Sequence, residues 1–330
     1  MTTLKSASAA HPPEASTLFL VSIGLLGSVF FSATFILNYT MHLGGGHWYW
    51  SGALRFLFMI LLLALILNVY HGPKKFVATL RLFREHLLFW TLIGTVGFGV
   101  FYAGICFSAA YARGWIVAAT WQTTILATPF VLLAMGLPFP KKGIFFSAII
   151  VIGVALVNVE GFAKGISSDE IKFGVLPILI AALAYPIGNQ LLNASKNGTL
   201  SYVPHIKSEL LKSPLICIFY MSLGSIPFWI ILYFIASPPP PEANQWMSTF
   251  IVALFAGVIA TGLFIYARNL TSSPYKIAAV DATLSGEVFI PLIFEVIWLG
   301  EVFPSAISML GLVVIIGGLL AYIFSTTTAK

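Results

Sequence analysis

Apolar residues fill this chain in ten stretches of about 20, divided by short polar segments. The stretches run approximately 17–41, 48–70, 87–111, 114–136, 143–160, 174–193, 214–236, 248–270, 275–299 and 304–324. At about 1.5 Å per residue a helix of that length crosses roughly 30 Å of hydrocarbon. A single apolar run buried in lipid must satisfy its own backbone groups, and a helix does so. The pattern predicts an all-α polytopic membrane protein with ten transmembrane helices.

The pattern also repeats. IIVIGVALVNV from Ile149 is matched by VVIIGGLLAYI from Val313, and each closes a pair of long apolar segments. Pro129 and Leu137 find counterparts in Pro291 and Leu299, and Gly153 in Gly317 after a two-residue slip in a loop. Two five-helix units, 17–165 and 166–324, follow from this. Five spans reverse direction, so the units are expected as inverted repeats with the site between them near the bilayer midplane. Residues 1–16, with Pro12 and Pro13, are expected as a disordered tail, and 325–330 as a second tail. The first span is too long for a signal-peptide core and is expected to be retained.

Composition agrees with the pattern: 59% of residues are hydrophobic and 8% charged, and mean hydropathy is +0.96. Too few polar side chains exist to cover a soluble surface. The charges set an orientation. With the N-terminus inside, Arg113, Lys164 and Lys172 face outward, Arg55 lies within a span, and the remaining basic residues face the cytoplasm. Both termini are therefore expected on the cytoplasmic side of the inner (plasma) membrane. The pI near 9.3 reflects basic loops meeting anionic headgroups, not a nucleic-acid surface.

Between the spans, HGPKKFVATLRLFREH has apolar and basic residues at helical spacing and is expected along the inner membrane surface. SPPPPEANQ reads as a stiff outer turn. His42 and His47 flank a glycine run without further ligands, so no metal site or other cofactor is expected. Cys106 and Cys217 fall at opposite depths and cannot form a disulfide. GFGVFYAG lacks the context of a nucleotide-binding loop, and its glycines suit close helix packing.

Ionisable groups within spans need a partner or a task. The ninth span carries Asp281, Glu287 and Glu295. Arg268 could reach Asp281 across a short loop, and Arg55 could meet Glu295 at a similar depth, as structural pairs. Glu287 is left without a basic residue at its depth. It is either the proton-exchanging group of a carrier, with Asp281 as second coupling candidate, or a neutral carboxyl bonded to a neighbouring helix. Tyr102, Trp121, Gln122, Tyr185 and Tyr266 are the candidate pocket-lining residues, since aromatic faces beside a carboxylate attract cations.

The ten-span doubled plan resembles the drug/metabolite transporter superfamily, and the WLGE ending at Glu301 with Gly311 and Gly317 fits its EamA-like carriers. FFSATFILNYTMHLGGGHWYWSGALRF, GFGVFYAGICFSAAYARGWIVAATWQTT, AALAYPIGNQ, GVIATGLFIYAR and AAVDATLSGEVF together resemble the putative multidrug resistance efflux transporter family within it. In that family the last stretch usually carries Glu at position 281 and Gln at 284. Here these are Asp281 and Leu284. The resemblance implies a secondary carrier, driven by proton exchange, with alternating access between its halves.

Two cargoes fit: small cationic or amphipathic compounds exported against protons, or neutral metabolites or amino acids on the same scaffold. Organic phosphates fit less well, because Arg55 is the sole basic side chain well inside a span. An enzyme is not expected, for no reactive groups converge in a recognisable motif. The expected partners are a small-molecule substrate, protons and the lipid bilayer. The sequence leaves the oligomeric state open.

Overall fold

The computed structural model describes residues 15–137, 141–163, 172–271, 276, 280 and 283–327. These residues are mostly helical, with no strand among them. Seven helices are long and apolar enough to cross a membrane. They are α1 (Thr17–Leu43), α2 (Trp48–Glu85), α3 (Leu87–Ser108), α4 (Gly114–Ala134), α6 (Lys172–Asn197), α7 (Pro214–Ala236) and α8 (Ala243–Arg268). Between and after them lie α5 (Lys141–Ala163), α9 (Gly286–Trp298) and α10 (Ala306–Thr327). Shorter apolar runs, Ala148–Asn158 and Ala306–Ala321, fall within α5 and α10. The chain is a multi-pass membrane protein.

The helices are apolar all round, and packing sorts their faces. In α2, Phe56, Met59, Leu63 and Leu67 are buried at helical spacing, while Leu57, Leu61 and Leu65 are exposed on the other face. Inside the bundle α1 packs on α8 and α9, and α6 packs on α3 and α4. α2 packs on α8, and α7 on α3. α5 and α10 form the most extensive contact of all.

Glycines bring backbones together where these helices cross, as the glycine-rich run in α3 led us to expect. A Cβ at Gly153 would lie 2.7 Å from the Gly311 carbonyl oxygen, and one at Gly311 would lie 2.7 Å from that of Gly153. Gly97 of α3 and Gly188 of α6 abut in the same way. Gly317, expected as the counterpart of Gly153, has open space instead, so the α5–α10 crossing uses Gly311.

Several spans differ from the uninterrupted helices expected. α2 continues to Glu85 only after a sharp kink at Gly72 (φ 77°), followed by Pro73. The amphipathic segment beyond the kink docks on α7, where the Tyr220 hydroxyl donates to the Thr79 carbonyl at 2.7 Å. The ninth span is interrupted: a 3-10 turn, Thr283–Ser285, precedes α9. α10 runs on to Thr327, into the segment expected as a tail. The proline-rich turn is pinned by the Trp50 indole N–H donating to the Pro239 carbonyl at 2.6 Å, and Glu242 with Gln245 caps α8. Cys106 and Cys217 are both free and buried.

Candidate functional site

Three helices, α3, α4 and α9, lose regular α geometry beside candidate residues, and α8 does so away from them. α3 has a π-helical segment, Thr95–Val100, directly before Phe101 and Tyr102. α8 has one at Ala253–Ala260. Such segments loosen the backbone ladder and often mark functional regions. α4 breaks at Gln122–Thr123, right after Trp121, and α9 begins at the 3-10 turn just before Glu287. Both breaks lie six residues ahead of a proline, Pro129 and Pro291. Proline has no N–H, so Pro291 cannot bond the carbonyl of Glu287 four residues earlier.

Side chains stabilise these breaks. Thr123 Oγ1 donates to the Thr120 carbonyl at 2.8 Å, and Thr124 Oγ1 reaches the Ala182 carbonyl of α6 at 3.2 Å. Asn158 of α5 donates to Thr120 Oγ1 at 3.2 Å. Ser28 of α1 donates to the Thr283 carbonyl at 2.5 Å. Gln122 is buried, with its amide turned back toward the Ala118 carbonyl at 3.5 Å.

Two of the residues singled out in the sequence, Trp121 and Tyr185, meet with Phe101, which sequence reasoning missed. Ring centroids are 4.9 Å apart for Phe101–Trp121 and Phe101–Tyr185, and 5.5 Å for Trp121–Tyr185. Tyr185 keeps 36% of its surface exposed, and the charges of Glu287, Arg268 and Arg55 act on it. Glu287 is 7% exposed and makes no hydrogen bond or ion pair with another described residue. A carboxyl so placed is available to a ligand or a proton.

Tyr102 continues the aromatic path from Phe101, 5.9 Å away, toward Arg55. The Arg55 guanidinium lies 3.9 Å from the Tyr102 ring centroid and 5.2 Å from that of Phe56. Asn38 Nδ2 donates to the Tyr102 hydroxyl at 3.2 Å.

The pairing expected between Arg55 and Glu295 is not formed. Glu295 instead accepts from the Trp115 backbone N–H at 3.0 Å, at the start of α4, where unbonded N–H groups favour an acceptor. Next to it, Arg113 pairs with Glu301 at 2.9 Å, and the Tyr39 hydroxyl donates to Glu301 at 2.7 Å. This polar cluster ties α1, α4 and the α9–α10 connection together at the Arg113 end of the bundle. Sequence reasoning placed Arg113 and Glu301 without seeing that they meet, since 188 positions separate them. Replacing Tyr39 with Phe should lower stability by about 1 kcal/mol, read as a drop in melting temperature of the purified protein.

Asp281 lies outside the described residues, and with it the expected pairing to Arg268. Tyr266 is 54% exposed and makes no ring contact with the aromatic group, so it stands apart from the site as built here. Among the described residues no group of His, Cys, Asp and Glu gathers as metal ligands. A groove of about 310 Å³ between α2, α3, α6 and α7 is lined by apolar residues such as Trp48, Phe107 and Phe228, and holds none of the candidate polar groups.

Comparison with known proteins adds the family. The model of the family described as "EmrE: Putative multidrug resistance efflux transporter" matches residues 19–328. The chain belongs to this family. It is 39% identical over 326 residues to "Uncharacterized protein YjlA" of Bacillus subtilis (strain 168), covering 94% of this chain and 96% of that one. A 42.1 kDa Shouchella clausii protein, described as "in intracellular alkaline protease 3'region", is 33% identical over 281 residues, covering 80% of this chain and 69% of its own. One solved crystal structure shares the fold of this family member at a TM-score of 0.58 and 15% identity, covering 96% of this chain and all of that one. Membership makes the chain a membrane transporter of the efflux type, acting on small molecules within a lipid environment.

Proposed function

We propose that this protein exports small cationic or amphipathic compounds in exchange for protons, by alternating access. The observation that carries this reading is Glu287. It is a buried carboxyl without a protein partner among the described residues, at the broken start of α9, and its charge acts on Tyr185. A cation over the Phe101, Trp121 and Tyr185 rings gains quadrupole attraction, and the carboxylate adds charge. A proton competing for the same carboxylate couples the two fluxes, since a carboxyl cannot hold both at once.

The two-unit plan supports alternating access. Taking α1–α5 and α6–α10 as corresponding units, the contacts between the units have counterparts: α1–α8 with α6–α3, α1–α9 with α6–α4, and α2–α8 with α7–α3. α5–α10 and α2–α7 are their own counterparts. The irregular segments also correspond, in α3 with α8 and in α4 with α9. In this reading the halves are inverted repeats that rock against each other. The distribution of basic residues supports an orientation with both termini in the cytoplasm and the Arg113 cluster at the outer end.

The test is reconstitution in liposomes with an imposed pH gradient and a lumenal pH dye. Tetraphenylphosphonium and other lipophilic cations should release protons in proportion to their own movement. Proton flux with neutral metabolites alone would replace the cationic cargo by a neutral one. Trp121→Ala and Tyr185→Ala should each weaken tetraphenylphosphonium binding about tenfold, near the upper part of the cation–π range, in equilibrium titrations.

A further inference from the structure

Arg55 is a buried charge that the efflux reading leaves without a task. It sits within α2, is 8% exposed, and pairs with no carboxylate among the described residues. Its stack on Tyr102 covers one face of the guanidinium. The N–H groups lie in the plane of the group, and a stack does not satisfy them. Nε is enclosed without an acceptor. Asn38 Oδ1 is likewise enclosed without a donor, although Asn38 is only 2% exposed. Both residues meet on the same Tyr102: one over the ring, the other at the hydroxyl.

Leaving such groups unpaired inside a protein is costly, and a single polar ligand would relieve both. We propose that Arg55 and Asn38 form a subsite for a carboxylate of the transported compound, which makes the cargo a zwitterion and not a simple cation. The planar, in-plane donor fork of arginine matches the two oxygens of a carboxylate. Asn38 accepts from a neighbouring hydroxyl or amino group of the same ligand. One guanidinium balances one carboxylate, and Glu287 balances one ammonium. Tyr185 lies in the electrostatic field of both Arg55 and Glu287. This inference rests on the efflux reading for its cationic end only.

The test uses the purified full chain and four probes: phenylalanine, phenylalanine amide, 3-phenylpropionate and tetraphenylphosphonium. Calorimetric titration should show phenylalanine binding at least about tenfold more tightly than its amide, the loss expected when a charged partner is removed. Arg55→Gln should weaken phenylalanine and phenylpropionate by at least about tenfold and leave tetraphenylphosphonium within about twofold, which also reports that the variant is folded. Arg55→Lys keeps the charge without the fork and should fall between the two. Equal binding of phenylalanine and its amide overturns the subsite, as does undiminished carboxylate binding by Arg55→Gln. Binding of tetraphenylphosphonium with no carboxylate probe overturns the subsite and leaves cation efflux standing. Carboxylate binding with no effect of Glu287→Gln on any cation overturns the cationic end instead. Binding of none of the four overturns both.

Discussion

Glu287→Gln should abolish coupled transport. The amide has nearly the shape of the acid but can neither carry a negative charge nor release a proton at neutral pH. Removing one side of a buried charge interaction costs about 2–5 kcal/mol, and the middle of that range is a loss of more than about 100-fold. In liposomes with an imposed pH gradient, substrate-dependent proton release should fall to background, while the variant keeps the melting behaviour of the parent protein. Glu287→Asp retains the charge on a shorter stem and should keep partial flux with weaker binding. Undiminished proton-driven efflux by Glu287→Gln would refute the coupling role and leave Glu287 a structural carboxyl.

The second large effect concerns assembly. Gly224 of α7 faces α3 so closely that an added Cβ would meet the Trp90 carbonyl oxygen. Gly94, on the other side of the crossing, is bounded by Met221 and Gly224 backbone atoms. Backbone cannot rotate aside as a side chain can, so the helices must separate. Gly224→Ala should destabilise the protein by about 1–3 kcal/mol, the usual range for an overpacked core, and Gly224→Val should prevent recovery of folded protein from membranes. Size-exclusion profiles and melting temperatures of detergent-purified material provide the measurement. A parent-like profile for Gly224→Val would show that the α3–α7 crossing is not a close-packed contact.

Parts of the candidate site were legible in the chain. Trp121 and Tyr185 could be chosen as aromatic residues within spans, and their rings do meet. Glu287 could be chosen because no basic residue shares its depth. Phe101 could not, since it is one of 28 phenylalanines in an apolar chain and nothing local separates a lining ring from a lipid-facing one. Asn38 gave too weak a signal, for a single amide in a membrane helix ordinarily bonds a neighbouring helix. Arg55 and Glu295 were expected together because depth along a helix was the available coordinate. Depth fixes position along the membrane normal and leaves the direction around the helix open. Glu295 turned to the start of α4, and Arg55 turned to Tyr102.

The sequence by itself determined the solvent and the helical class of the fold. Long apolar runs with so few charges belong in lipid, where helices satisfy the backbone, and the family follows from motifs spread along the chain. The tertiary structure alone decided which face of each helix is buried, where helices break, and which distant residues share a site. The physical reason is that hydrocarbon and protein interior reward the same apolar side chains. Leu61 toward lipid and Leu63 toward the core are equally satisfied as residues, and only the neighbouring helices distinguish them.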